Sequence, residues 1–105
     1  MTRRDPEAAF QAIKRRVRDN AFRYTDGAFA RMVDRMLYEE DVKRAVSTGT
    51  LAGLFSDDRD RTLYAVHGFG MNEDALGVLC RMSRTRVVVV DVFRLDDLEA
   101  EPPGG

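Results

Sequence analysis

Two arginines one helical turn apart, Arg31 and Arg35, are the residues whose type and spacing could most directly do chemistry. Side chains at i and i+4 share one face of a helix, so two guanidiniums could close on a single anion. A guanidinium is permanently charged, and its planar donors match the oxygens of a phosphate. Such a pair could offset charge on a scissile phosphate and on the oxygen attacking it. Asp34 offers the competing use, an ion pair with Arg31 within the helix. His67 and Arg81 are the further candidates, the first for proton transfer near neutral pH and the second for charge stabilisation. Packed or surface roles compete in both cases. Lys14, Arg15 and Arg18 form a basic ridge suited to the successive phosphates of a nucleic-acid backbone, or else a solvated helix face.

Other chemistries lack their residues. Gly68-Phe69-Gly70 has neither the third glycine nor the lysine of a phosphate-cradling loop. Asp57-Asp58-Arg59-Asp60 lacks the glycine and terminal glutamate of a calcium loop. One histidine and one cysteine cannot assemble a structural zinc site. No metal and no cofactor is therefore expected. Cys80 follows Leu76 and Val78 on one strand face, which reads as an inert core thiol.

The elements that must position these residues follow from periodicity. Asp5-Pro6-Glu7 opens a first helix, Phe10, Ile13 and Val17 give it a buried stripe, and Asp19-Asn20 ends it. Thr25 caps a second helix whose apolar stripe is Ala28, Phe29, Met32, Val33 and Met36. Gly27, Arg31 and Asp34 take its other side, with Arg35 at the border. Glu39-Glu40-Asp41 begins a third helix that Val42, Ala45 and Val46 carry to Gly49. Glu39 with Lys43 and Glu40 with Arg44 are spaced as i,i+4 ion pairs.

From residue 50 the period becomes two, giving strands over 50–55, 62–67, 75–81 and 86–93. The last holds four consecutive valines; alternation puts Val87, Val89 and Phe93 on one face and Val88, Val90 and Val92 on the other. The glycines of the 68–74 loop suggest mobility. The prediction is an α+β domain over residues 1–94, with three N-terminal helices packed on a four-stranded antiparallel sheet. Residues 95–105 are expected to form an acidic, frayed tail.

A chain of 105 residues bounds this to one domain. The net charge of −1 conceals a gradient. Residues 1–23 carry seven basic side chains against three acidic, and residues 87–105 one basic against five acidic. No apolar run approaches the ~18 residues of a membrane helix. Met1-Thr2-Arg3-Arg4 leads into a charged helix, so no secretory signal is expected. With its single cysteine the chain is expected in the cytoplasm.

The run Thr25-Asp26-Gly27-Ala28-Phe29-Ala30-Arg31-Met32-Val33-Asp34-Arg35, then Glu39-Glu40-Asp41-Val42 and Ala45-Val46, resembles the domain of unknown function 4258 family. That family's signature is Thr-x-His-Ala-x-x-Arg-Met-x-x-Arg, then a capped Glu-Asp-Val helix and a strand meander. The resemblance spans about residues 10–94 and implies a fold related to the RelE and MqsR messenger-RNA-cleaving toxins. It implies a toxin–antitoxin-type protein that binds RNA, with Arg31 and Arg35 on the phosphate and an antitoxin-like protein as a possible partner. Gly27 stands where the family carries histidine, and Phe93 where a terminal tyrosine is common. Neither can move a proton or donate a hydrogen bond from its side chain, so the expected endoribonuclease activity is weak or absent and metal-independent. The alternative is a non-catalytic protein-interaction module, a homodimer or half of a complex.

Overall fold

The helices start where side chains can take up their free amides. A computed structural model describes residues 5–99. Helix α1 (Pro6–Arg18) begins at Asp5, whose carboxylate accepts from Glu7 N. Helix α2 (Asp26–Arg35) is capped by Thr25 Oγ1, which accepts from Ala28 N at 3.0 Å. Helix α3 (Glu39–Thr48) is held at its start by Asp41 Oδ2, which accepts from Tyr38 N at 2.9 Å. All three beginnings are those the sequence predicts.

The sheet corrects the sequence reading. It has five strands, not four, and it is mixed rather than antiparallel. Strands β1 (Phe22–Tyr24), β2 (Thr50–Ser56), β3 (Thr62–Phe69), β4 (Ala75–Met82) and β5 (Val87–Arg94) lie in the order β1-β5-β4-β3-β2. The added strand β1 runs parallel to β5, with Phe22 opposite Val87 and Tyr24 opposite Val89. Three residues between two helices are too few to display a period of two. The strand is made by its setting: Asn20 turns the chain at φ 63, and backbone bonds Val87 N to Ala21 O and Thr25 N to Val89 O clamp both ends. The α+β class stands. A short helix α4 (Leu95–Glu99) follows β5 where the tail was expected to begin, and residues 100–105 lie outside the described residues.

Helices α1 and α3 cover one face of the sheet. Phe10, Ile13, Val17, Val42, Ala45 and Val46 meet Val66, Val78, Cys80, Val87, Val89 and Val92 in one core. The presence of Val92 in that set breaks simple alternation. Leu79 pairs with Asp91 but Cys80 pairs with Val89, so Val90 is an extra residue and the strand changes face across it. Val90 is accordingly half-buried, and Val92 replaces Phe93 in the core.

The 68–74 loop is tied down rather than loose. Gly70 N bonds Asp74 O, and Met71 N donates to the buried Asp41 carboxylate at 2.9 Å. Its glycines serve close approach: a Cβ on Gly68 would run into the Ala45 carbonyl of α3, and one on Gly70 would stand 2.9 Å from Asp41 Oδ1. Because α3 cannot retreat without opening the core, Gly68→Ala is expected to cost about 3 kcal/mol or more, read as a lower urea midpoint at unchanged slope. A midpoint within about 0.5 kcal/mol of the parent would contradict this packing.

Candidate functional site

Strand β1 is only three residues long, so the second half of β5 has no strand along its outer edge. An open edge presents unpaired backbone groups. Here α2 runs beside it, and its two arginines supply the missing donors. Arg31 Nη2 donates to Val90 O at 2.8 Å, and Arg35 Nη1 donates to Val92 O at 2.6 Å. Both also reach one carboxylate oxygen: Arg31 Nε lies 2.8 Å and Arg35 Nη1 3.0 Å from Asp91 Oδ1. Val92 N donates to that same oxygen at 2.9 Å. Arg94 Nη1 closes the group by donating to Arg35 O at 2.7 Å, with Arg94 Nε 3.6 Å from Asp74 Oδ2.

The arginine pair thus converges as its spacing predicts, but on an anion that the chain itself supplies. Asp34 is not used; Arg31 reaches across to β5 instead. Gly27 leaves room for this, since a Cβ there would meet the Arg31 guanidinium at 3.3 Å.

His67 and Arg81 lie on the sheet face turned away from α1 and α3. Their neighbours Val66 and Cys80 point into the core, which fixes the alternation. His67 is exposed and pairs with Gly77, across which lies the ring of Phe93. Arg81 is four residues further along β4, roughly 13 Å at strand rise, too far for the two to serve one reacting atom. It belongs to another group. The register places Arg23, Val88 and Arg81 in one cross-strand row on this face. The β2–β3 connection brings Arg59 and Arg61 to the same end, ordered by Asp57, whose Oδ1 accepts from Arg59 N and Arg61 N at 2.8 and 2.9 Å. Those backbone bonds, that from Arg61 first, hold the Asp57 carboxyl below its ordinary range. Burial, then the charges of Arg61 and Arg23, lower the pKa of Arg81, whose side chain has no hydrogen bond or ion pair among the described residues.

The ridge on α1 divides. Lys14 and Arg18 face α3 and, with Lys43 and Arg44, line a groove of about 440 Å³ that no carboxylate lines. Arg15 stands exposed outside that lining. The pairs Glu39–Lys43 and Glu40–Arg44 do not form among the described residues: Lys43 Nζ donates to neutral Asn20 Oδ1 at 2.6 Å, and Arg44 has no side-chain partner. Lys14 Nζ sits 4.9 Å above the Phe10 ring and 3.4 Å from Ser47 O. Arg18 meets Asp19 at 3.2 Å in a largely exposed pair. From sequence alone Lys43 and Arg44 are only ion-pair partners of Glu39 and Glu40, and Arg23 has no role of its own, because the apposition of α1 with α3, and the existence of β1, leave no local trace.

The family model described as "Domain of unknown function (DUF4258)" matches residues 24–94. The chain belongs to this family. The match takes in α2, α3 and strands β2 to β5, with the arginine pair and Asp91, and leaves α1 outside. No curated protein and no solved structure matches the chain. Among the described residues of this DUF4258 domain, no three histidine, cysteine or acidic side chains could hold a metal ion, and no helix is long and apolar enough to cross a membrane. Burial pushes the Cys80 thiol up to about 12, so it is no nucleophile at neutral pH.

Asp91→Ala would leave two guanidiniums converging without a counter-charge and free the Val92 amide. It is expected to cost about 1–2 kcal/mol, a figure discounted for the partial exposure of all three side chains. A double-mutant cycle of Asp91→Ala with Arg35→Ala checks it: strong coupling is expected, and additive losses would show that the contact carries no energy.

Proposed function

We propose that this DUF4258 domain holds the phosphate backbone of single-stranded RNA without cutting it. The observation that carries the reading is the groove between α1 and α3, in which Lys14, Arg18, Lys43 and Arg44 converge with no acid in the lining. Cations grouped in this way bind a polyanion through release of its counterions. The unpaired Arg81, in register with Arg23, adds a second basic surface on the sheet. RNA, rather than another polyanion, and a toxin–antitoxin setting would follow from the kinship with the RelE and MqsR toxins that the family resemblance implies.

Several features argue against cleavage. Arg31 and Arg35 are engaged with Asp91 and the β5 carbonyls. Gly27 and Phe93 offer no group to move a proton. His67 stands four residues of strand away from the row that holds Arg81. A general acid or base must come within hydrogen-bond reach of the reacting atoms, and the one position where two candidates meet, between Arg31 and Arg35, is taken by Asp91 Oδ1.

Fluorescence anisotropy with a labelled single-stranded RNA tests the reading. Four phosphate contacts predict that log K falls with log salt at a slope of about −2.8. Lys43→Ala with Arg44→Ala should weaken binding and make that slope shallower by about 1.4. The RNA should stay full length, and Arg31→Ala should act on stability more than on affinity. Binding indifferent to salt and to the α3 pair would refute the groove, and cleaved RNA would refute the non-catalytic half.

A further inference from the structure

The apolar stripe of α2 is wider than the core uses. Only Ala28 and Met32 are buried, while Phe29, Val33 and Met36 are 58%, 62% and 69% exposed. A surface helix ordinarily turns such a stripe inward. Here its outer half joins the exposed Tyr38 ring to wall a groove of about 360 Å³. Tyr24 lies in that wall with its hydroxyl buried and unbonded, a polar atom of the kind that native structures seldom leave unsatisfied.

Met36 sharpens the point. It closes α2 in a left-handed conformation, φ 57 and ψ 43, that glycine would adopt without the steric cost borne by a side chain. A strained and exposed methionine contributes little to the fold, and its thioether suits an adaptable contact surface.

From these residues we infer that the α2 groove docks a basic amphipathic helix of another protein. The charge around it selects that occupant. Glu39 lines the groove, Asp26 stands one turn before Phe29, and no cation is among the lining residues. Glu39 and Glu40, after burial itself, help to raise the Tyr24 phenol above its ordinary value, which places both acids near the groove's back wall. An apolar floor with an acidic rim fits an apolar helix face flanked by lysine or arginine. Phe29 to Met36 spans about 10.5 Å of helix, two turns, the reach of anchors at i, i+4 and i+7 on a facing helix. This groove shares no lining residue with the cationic one and does not depend on RNA binding.

The probe is a labelled leucine–lysine peptide of about fifteen residues with leucines at helical spacing, beside a twin in which glutamate replaces every lysine. The lysine peptide should bind the wild-type chain, and the glutamate twin should not. Val33→Gln with Met36→Gly should weaken binding about tenfold, the scale of losing central anchors, while the unfolding midpoint stays level or rises. Glu39→Lys should weaken the lysine peptide, with no more than a small fall in the unfolding midpoint from a cation at the start of α3. RNA affinity should be unchanged in the Val33→Gln, Met36→Gly variant, which separates this result from the backbone-binding reading. Equal binding of both peptides, no saturable binding of the lysine peptide, or indifference to Val33→Gln with Met36→Gly overturns the proposal. So does a concentration-dependent dimer that the same double substitution abolishes, which would give the groove to a second copy of the chain.

Discussion

One carboxylate oxygen organises this molecule. Asp91 Oδ1 receives Arg31, Arg35 and the amide of Val92, at a place where β5 has already lost its partner on one side through the shortness of β1 and gained an extra residue on the other. Without those donors the carbonyls of Val90 and Val92 would be an open edge, available to any passing strand. The arginines therefore stand in for a strand: two side chains from a helix perform, at 2.8 and 2.6 Å, the hydrogen bonding that a longer β1 would have supplied. Arginine suits this work better than lysine. Its fixed fork can bond a carbonyl and a carboxylate at once.

That arrangement changes how the charges of the chain are to be read. A pair of guanidiniums satisfied from within has little left for a ligand, so surfaces able to meet an anion must be sought where cations lack acids. The sheet topology gathers several of them. β1 and β5 begin, and β4 ends, at one end of the sheet, where β2 also hands over to β3. Arg23, Arg59, Arg81, Arg84 and Arg86 belong to those segments, beside Arg61, which is paired with Asp57 at 2.7 Å, and the acids Asp58 and Asp60, so that arginines outnumber acids there. Arg16 binds the carbonyls of Ser83, Arg84 and Arg86, so it locks the β4–β5 turn at that end. At the other end lie Glu73 and Asp74, beside the short acidic helix that begins at Leu95. A net charge of −1 hides a molecule with two poles, and local field rather than net charge decides what a surface attracts.

How much of this the sequence carried depends on whether the cause was local. The caps of α1 and α2 rest on a side chain and an amide two or three residues away, so Asp5 and Thr25 announced them. Four of the strands showed their period because each is seven or eight residues long. β1 did not, because Phe22–Tyr24 is a strand only by virtue of β5 beside it. The bulge at Val90 was equally silent. A run of valines looks the same whether or not one residue is extra, yet that residue moved Val92 into the core and brought Asp91 to the arginines. For the site, the convergence of Arg31 and Arg35 was legible from a spacing of four, but not the identity of the anion, which sits about 60 residues away along the chain. The glycines of the 68–74 loop read as freedom and proved to be clearance under α3, a distinction that only the neighbour can make.

Helix α3 shows why ion pairs written into a sequence need not form. Glu39 with Lys43 and Glu40 with Arg44 have the favourable order, yet each such pair gains only a few tenths of a kcal/mol on an exposed helix. Holding two long side chains together costs rotamer entropy of similar size. Lys43 instead takes the Asn20 side chain at 2.6 Å, in the turn that leads to β1. The consequence is geometric. The acids stay at the first turn of α3 beside the apolar groove, while Lys43 and Arg44 line the cationic one a single turn later. Had the pairs closed, each would have neutralised one surface with the other's charge. A helix of ten residues thus keeps two surfaces of opposite sign within about 6 Å of axial rise, separated only by which side of the helix they face.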